Sequence, residues 1–195
     1  SLLRTFIVAP SRKQYLDSLV DLLRDVSGCS SVGIRVSSTN DWVPYGASVG
    51  FDKGFMASEC WLQLGEDDCV CTRVADGKPA AADVPCMTPD GAFRCENIPR
   101  FLDELPDQER LRFRGLCMQS GFLSLAVMPV KCRGAALGVV HLADEAEGRI
   151  PPKVMEFLET INPLIGEAVH RFNIEDELRT LSSQLSLAEE QERKR

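Results

Sequence analysis

Long apolar runs are missing from this chain. No stretch reaches the roughly 18–20 residues that cross a bilayer. The first ten residues, S-L-L-R-T-F-I-V-A-P, carry neither a basic leader nor an apolar core of signal-peptide length. A cytoplasmic setting away from membrane is therefore expected. Positive charge is short too: 22 Lys and Arg stand against 29 Asp and Glu, for a net charge of −7. A chain of that balance lacks the basic face that nucleic acid or an anionic membrane surface requires. Arg193-Lys194-Arg195 is too brief to supply one, and Glu residues precede it. Histidine is scarce, with only His141 and His170. A Gly-rich phosphate loop, H-E-x-x-H and G-x-S-x-G are all lacking, so the familiar phosphate-loop, zinc-protease and serine-hydrolase sites have no carrier. No catalytic residue is assigned, and this segment is not expected to be an enzyme.

Cysteine, by contrast, is plentiful. Eight are present, five of them between Cys60 and Cys95. In an oxidising compartment that number reads as a disulfide frame; in a reducing cytosol it points to metal, redox or ligand chemistry, or to buried thiols. Hydrophobic content of 44% and charged content of 26% are those of a globular domain, and 195 residues allow one domain plus an extension.

Apolar spacing predicts a helix over 14–26, started by Ser11 and stopped by Gly28. Strands are expected over 32–36 and 42–49, with a turn at Thr39-Asn40-Asp41. Residues 50–108 are poor in period and rich in Gly, Asp, Pro and Cys. A bare loop of that length is improbable in a compact domain, so short helices and strands covering a pocket are expected. A helix over 107–119 follows, then strands over 124–132 and 137–143 joined at Arg133-Gly134-Ala135-Ala136. Pro151 and Pro152 suit the first turn of a last helix, which Pro163 should bend.

Beyond residue 173 the apolar positions narrow to Ile174, Leu178, Leu181, Leu185 and Ala188, spaced 4, 3, 4, 3. That is the seam of a two-stranded coiled coil, and it predicts a parallel homodimer; a solvated amphipathic tail is the plain alternative. No Gly, Asn or Pro caps the final turn, so the helix is expected to continue. The closing run A-E-E-Q-E-R-K-R at 188–195 resembles the approach to the dimerisation helix of sensor histidine kinases. The resemblance implies a downstream kinase core and a response regulator as partners.

The order helix, strand, strand, irregular middle, helix, strand, strand, long helix is similar to that of GAF domains. The segments G-F-L-S-L-A-V-M-P-V at 121–130, G-V-V-H-L-A-D-E at 138–145 and I-P-P-K-V-M-E-F-L at 150–158 carry this resemblance. Cys69-Val70-Cys71 with Arg114-Gly115-Leu116-Cys117 is similar to a cysteine-bearing GAF subgroup of bacterial sensor kinases. The resemblance implies an α+β fold. A central antiparallel sheet of about six strands would carry helices on one face and a small-molecule pocket on the other. Residues 1–10 would lead in, 11–172 form the sensory domain, and 173–195 form the coiled-coil linker.

Several residues are candidates for the pocket. Cys69 and Cys71 would share a face, about 7 Å apart, if they lay on a strand. An iron–sulfur cluster, iron or zinc needs about four ligands, which Cys117, Cys86, Cys95, Cys60 or His141 would complete. A thiol switch and simple packing are the alternatives. On the strand 137–143, His141 and Val139 should face one side and Val140 and Leu142 the other. His141 is placed to ligate haem iron or another metal, or to hydrogen-bond a ligand. Trp42, Tyr45, Phe51, Phe55 and Trp61 read as an aromatic wall, and Met118 belongs with the pocket helix. Arg112 and Arg114 are candidates to pair an anionic ligand. The expected activity is sensing, of a small ligand, metal centre or redox state. A reversible metabolite receptor with structural cysteines, or a ligand-free dimerisation module, is the alternative.

Overall fold

The computed structural model describes residues 11–194. The lead-in expected over 1–10 and the terminal Arg195 lie outside the described residues. Helix α1 (Arg12–Ser27) forms where its spacing predicts. Ser11 Oγ accepts from the Gln14 N–H at 3.3 Å. Gly28, with φ 67, closes the helix by donating its N–H to Arg24 O at 2.8 Å. Strands β1 (Ser31–Val36) and β2 (Tyr45–Val49) follow. Strand β2 is shorter than the expected 42–49. The N–H groups of Val43 and Tyr45 turn away from β1 to Leu62 O and Cys60 O, and Trp42 keeps only an isolated bridge to Gln63.

The irregular middle holds α2 (Lys53–Glu59), α3 (Val70–Asp76), a 3-10 turn (Val84–Cys86), β3 (Phe93–Cys95) and α4 (Ile98–Asp103). The single helix expected over 107–119 is two pieces instead, α5 (Asp107–Arg110) and α6 (Leu116–Gln119). Gly115 between them sits at φ 73, which breaks a right-handed helix and suits glycine. Strands β4 (Ser124–Cys132) and β5 (Ala135–Asp144) form a hairpin through Arg133 and Gly134 alone, both at positive φ as a two-residue turn demands. Helix α7 (Pro152–Arg193) then runs for 42 residues with Pro163 inside it.

The sheet order is β2-β1-β5-β4-β3, antiparallel throughout. Five strands are found among the described residues where about six were expected. Outside β3 the next segment offers only the single bridge Met87↔Phe93. The α+β class is as expected.

Period-2 alternation divides the two faces. Val32, Ile34, Met128, Val130, Val140 and Leu142 pack under α1 and α7. Leu125, Val127, Val139 and Ala143 face the other way, beneath the short helices. Helix α7 is pinned to β4: Asn162 Nδ2 donates to Pro129 O at 2.7 Å. One turn on, a Cβ at Gly166 would stand 1.9 Å from Lys131 O. Burial along α7 ends at Phe172; Ile174, Leu178, Leu181 and Leu185 are 43–64% exposed.

Alanine exceeds glycine in helix propensity by about 1 kcal/mol, yet Gly166→Ala is expected to destabilise the domain. The forced separation of α7 from β4 should outweigh that gain and leave a net loss of about 1–3 kcal/mol. Urea unfolding of the two proteins checks the sign.

Candidate functional site

Strands β1, β2 and β5 bring Arg35, Tyr45 and His141 to the same side of the sheet. Arg35 pairs with Tyr45 in register, and Gly33 lies opposite His141. Gly33 leaves room for the Tyr45 ring, whose edge would lie 2.3 Å from a Cβ there. Arg35 is fully buried. Its guanidinium donates to Val43 O at 3.0 Å, Cys60 O at 3.4 Å and Glu59 O at 2.5 Å. The buried Glu59 carboxylate lies 3.7 Å away. The Tyr45 ring covers the cation, its centroid 3.7 Å from Cζ. Arg35 Nε has no hydrogen-bond partner among the described residues.

Tyr45 Oη lies 2.6 Å from His141 Nδ1. Burial, aided by Arg35, pushes the His141 ring down to about 3, and burial raises the Tyr45 phenol well above its ordinary range. Both are neutral at pH 7. The phenol therefore donates to Nδ1, and the ring proton stays on Nε2. Nε2 faces Cys117 Sγ at 3.9 Å. Burial, with Cys69 and Glu59 nearby, pushes the Cys117 thiol up, so it stays protonated. Phe51 and Phe55 lie against the imidazole, with centroids 5.2 and 6.2 Å from it, and Phe122 stands edge-on to both phenyl rings.

Cys69, Cys71 and Cys117 meet at one cavity of about 30 Å³, closed by Phe113, Met118 and the Arg114–Glu59 pair. Cys69 and Cys71 lie at the start of α3, not on a strand. A hydrogen bond from Cys71 lowers the Cys69 thiol, and the same bond raises Cys71. A volume of this size admits a water or two. Ordinary ligand pockets are roughly 300–1,000 Å³, so haem or a metabolite requires the covering helices to move.

Other sequence candidates are placed differently. Arg114 is bound to Glu59 at 3.0 Å and to Asp67. Arg112 is bound to Asp68 at 2.9 Å. Both forks are occupied by the chain's own carboxylates. Trp42 and Trp61 make an edge-on pair, centroids 6.1 Å apart, outside the cavity, and Trp61 is 61% exposed. Cys86 and Cys95 pair with each other rather than with Cys69. Among the described residues, no three Cys, His, Asp or Glu side chains are grouped to hold a metal ion. The thiols thus do not fit an iron–sulfur, iron or zinc centre in this conformation.

Two buried arginines escaped the sequence reading. Arg35 carried one signal, a charge inside the strand V-G-I-R-V. The other, Arg73, grips the buried Asp83 through both carboxylate oxygens, at 2.6 and 2.8 Å. It also donates to Asp68 and Arg112 O. It fastens the cover of the cavity.

The model of the GAF domain family matches residues 11–169. No curated protein matches the chain in sequence. Among solved structures, the GAF domain of an Acinetobacter phosphoenolpyruvate-protein phosphotransferase has a TM-score of 0.67 at 15% identity, covering 90% of this chain and 92% of that one. A domain provisionally described as part of a two-component sensor histidine kinase of Sinorhizobium meliloti 1021 has a TM-score of 0.60 at 13% identity, covering 88% and 99%. A free methionine-R-sulfoxide reductase of Neisseria meningitidis, solved with its substrate, has a TM-score of 0.60 at 14% identity, covering 86% and 83%. Identities this low establish likeness of fold.

His141 gives the domain a pH signature. The unfolded ring binds a proton below its ordinary value of 6.5 and the folded ring does so only near 3. The unfolded state therefore holds more protons between those values, and stability falls as pH drops through that window. Between pH 7 and pH 5 this single group should remove about 2 kcal/mol. Urea unfolding at the two pH values is expected to show that loss in the wild type and not in His141→Gln.

Proposed function

The chain belongs to the GAF domain family, and from that membership we propose that it is the input domain of a cytoplasmic two-component histidine kinase. It is a domain of a sensory and regulatory fold. In our reading a small ligand enters beneath the covering helices, and α7 carries the change to a kinase core that passes phosphate to a response regulator. One observation carries this reading: cavity and helix share a wall. Leu125 of β4 lines the cavity on one face of the sheet, while Pro129 and Lys131 of the same strand touch α7 on the other. Displacing β4 therefore moves α7.

The preferred ligand is a small neutral molecule. Apart from the Arg114–Glu59 pair, the cavity is lined by thiols and apolar side chains. The hydrogen bond with Cys69 and burial hold Cys71 protonated, burial does the same for Cys117, and both nearby arginines, Arg35 and Arg114, are already paired with the Glu59 carboxylate. A cysteine-held metal centre is the competing reading, and it requires Cys69, Cys71 and Cys117 to rearrange. The Neisseria meningitidis neighbour is a free methionine-R-sulfoxide reductase, and for such an activity on this chain the cavity thiols would be the candidate nucleophiles. Burial holds Cys117 protonated, which opposes its use as a nucleophile.

The exposed seam of Ile174, Leu178, Leu181 and Leu185 fits a second copy of this chain. On this reading the two α7 helices lie parallel, and signal passes as a change in their packing.

Two measurements test these statements. Protein purified without air is expected to be colourless and metal-free. Iron or zinc near one per chain, lost in both Cys69→Ala and Cys71→Ala, would replace the neutral-ligand reading with a metal centre. In sedimentation velocity the wild type is expected to be a dimer and Leu178→Asp/Leu185→Asp a monomer with unchanged thermal unfolding of the domain. A monomeric wild type at micromolar concentration would remove the dimer from the mechanism.

A further inference from the structure

A second thiol pair lies away from the cavity described above. Cys86 ends the 3-10 turn Val84–Cys86, with its N–H donated to Asp83 O at 2.8 Å. Asp83 is itself fixed in the core by Arg73. One residue on, Met87 bridges to Phe93, and the Thr88 N–H donates to Ala92 O at 2.7 Å. This short turn folds the chain back so that Cys86 packs against the buried cluster that includes Cys95, which the ladder with β4 holds opposite Leu125, and the two thiols share a hydrogen bond. Two backbone segments that are each anchored thus place two thiols side by side.

The two differ in access. Cys95 is 5% exposed. Cys86 is partly exposed and opens on a hollow of about 310 Å³ that it shares with Arg94, Pro152, Met155 and Glu159. We propose that Cys86 and Cys95 form a reversible disulfide under peroxide, making the β3 edge an oxidation site separate from the ligand cavity.

The chemistry balances with hydrogen peroxide as oxidant. The Cys86 thiolate attacks one peroxide oxygen and the O–O bond breaks. The departing hydroxide takes the thiol's proton and leaves as water, and Cys86 becomes a sulfenic acid. Cys95 sulfur then attacks Cys86 sulfur; the S–O bond breaks, and the hydroxyl leaves as a second water with the Cys95 proton. Two thiols lose two electrons in total, and a dithiol reductant returns them. The order of attack follows from the pair itself. A hydrogen bond from Cys95 lowers the Cys86 thiol, with Arg94 contributing, while the same bond and burial raise Cys95. Cys86 is the reachable thiolate and Cys95 the resolving thiol.

The location gives the bond a consequence. The hollow beside Cys86 is walled by the first turns of α7, and the Thr88 hydroxyl of the same turn donates to Glu159 at 2.5 Å. Arg94, next to Cys95, donates to Ile150 O at 3.0 Å, just before α7 begins. A covalent link between the turn and β3 stiffens the segment that holds the start of that helix.

Trypsin reports the bond directly. It leaves Cys86 on peptide 74–94, Cys95 on peptide 95–100, and Cys69 and Cys71 together on peptide 54–73. After brief treatment of the whole chain with hydrogen peroxide, mass spectrometry of the digest is expected to show 74–94 linked to 95–100, released by dithiothreitol. Cys86→Ser should abolish the link. Cys95→Ser should instead leave a sulfenic acid on Cys86 that dimedone traps, which separates loss of the resolving thiol from loss of fold. Free Cys86 and Cys95 after excess peroxide, or oxidation that links other cysteines while this pair stays reduced, would overturn the proposal.

Discussion

One buried cation organises the pocket side of this domain. An arginine without solvent is tolerated only when its charge and its donors are compensated. Arg35 meets that demand by drawing in three separate carbonyls, the Glu59 carboxylate and the face of Tyr45. The carbonyls belong to Val43, before β2, and to Glu59 and Cys60 at the close of α2, so the charge tethers the cover to the sheet. Stacking over the guanidinium also sets the direction of the Tyr45 ring, and with it the hydrogen bond that decides the His141 tautomer. The cover's second anchor repeats the solution with Arg73 and Asp83. Two hydrophobic cores thus differ in kind. The one beneath α1 and α7 is almost wholly apolar, whereas the one beneath the short helices is built around fixed charges.

That difference bears on function. Apolar packing is non-directional and adapts by small shifts, while a charge network has few satisfied arrangements. The cavity side is therefore the side with discrete states. A ligand that displaced Arg114 from Glu59 and Asp67 would leave a buried carboxylate seeking a new donor. The same carboxylate faces the Arg35 guanidinium at 3.7 Å.

Much of the architecture was legible because side-chain period is a strict geometric rule. Val139 and His141 were assigned opposite faces from Val140 and Leu142 by alternation alone, and the two cores divide there. Ser11 and Gly28 marked α1 through capping chemistry that acts within a few residues. What failed depended on distant partners. The 107–119 segment reads as one helix by its apolar residues, but Arg114 is drawn to Glu59 and Asp67, some fifty residues away, and Gly115 takes the break. Trp42 and Trp61 carry no local sign that they prefer each other to the cavity. Five cysteines looked like one ligand set, and only the fold reveals that Cys69, Cys71 and Cys117 meet while Cys86 turns to Cys95. Arg112 and Arg114 looked free for a ligand because their acidic partners lie in a different part of the chain.

The bare backbone contact at Gly166 constrains how α7 can move. The neighbours one turn away on that side, Asn162 and Val169, both carry side chains, and Asn162 is tied to Pro129. An axial slide of one turn, about 5.4 Å, would drive one of them into the Lys131 carbonyl. Tilting or twisting about Gly166 brings no new atom to that point. The contact behaves as a fulcrum: the short arm ends at the hollow beside Cys86, the long arm in the exposed seam, and a small displacement at the first becomes a larger sweep at the second.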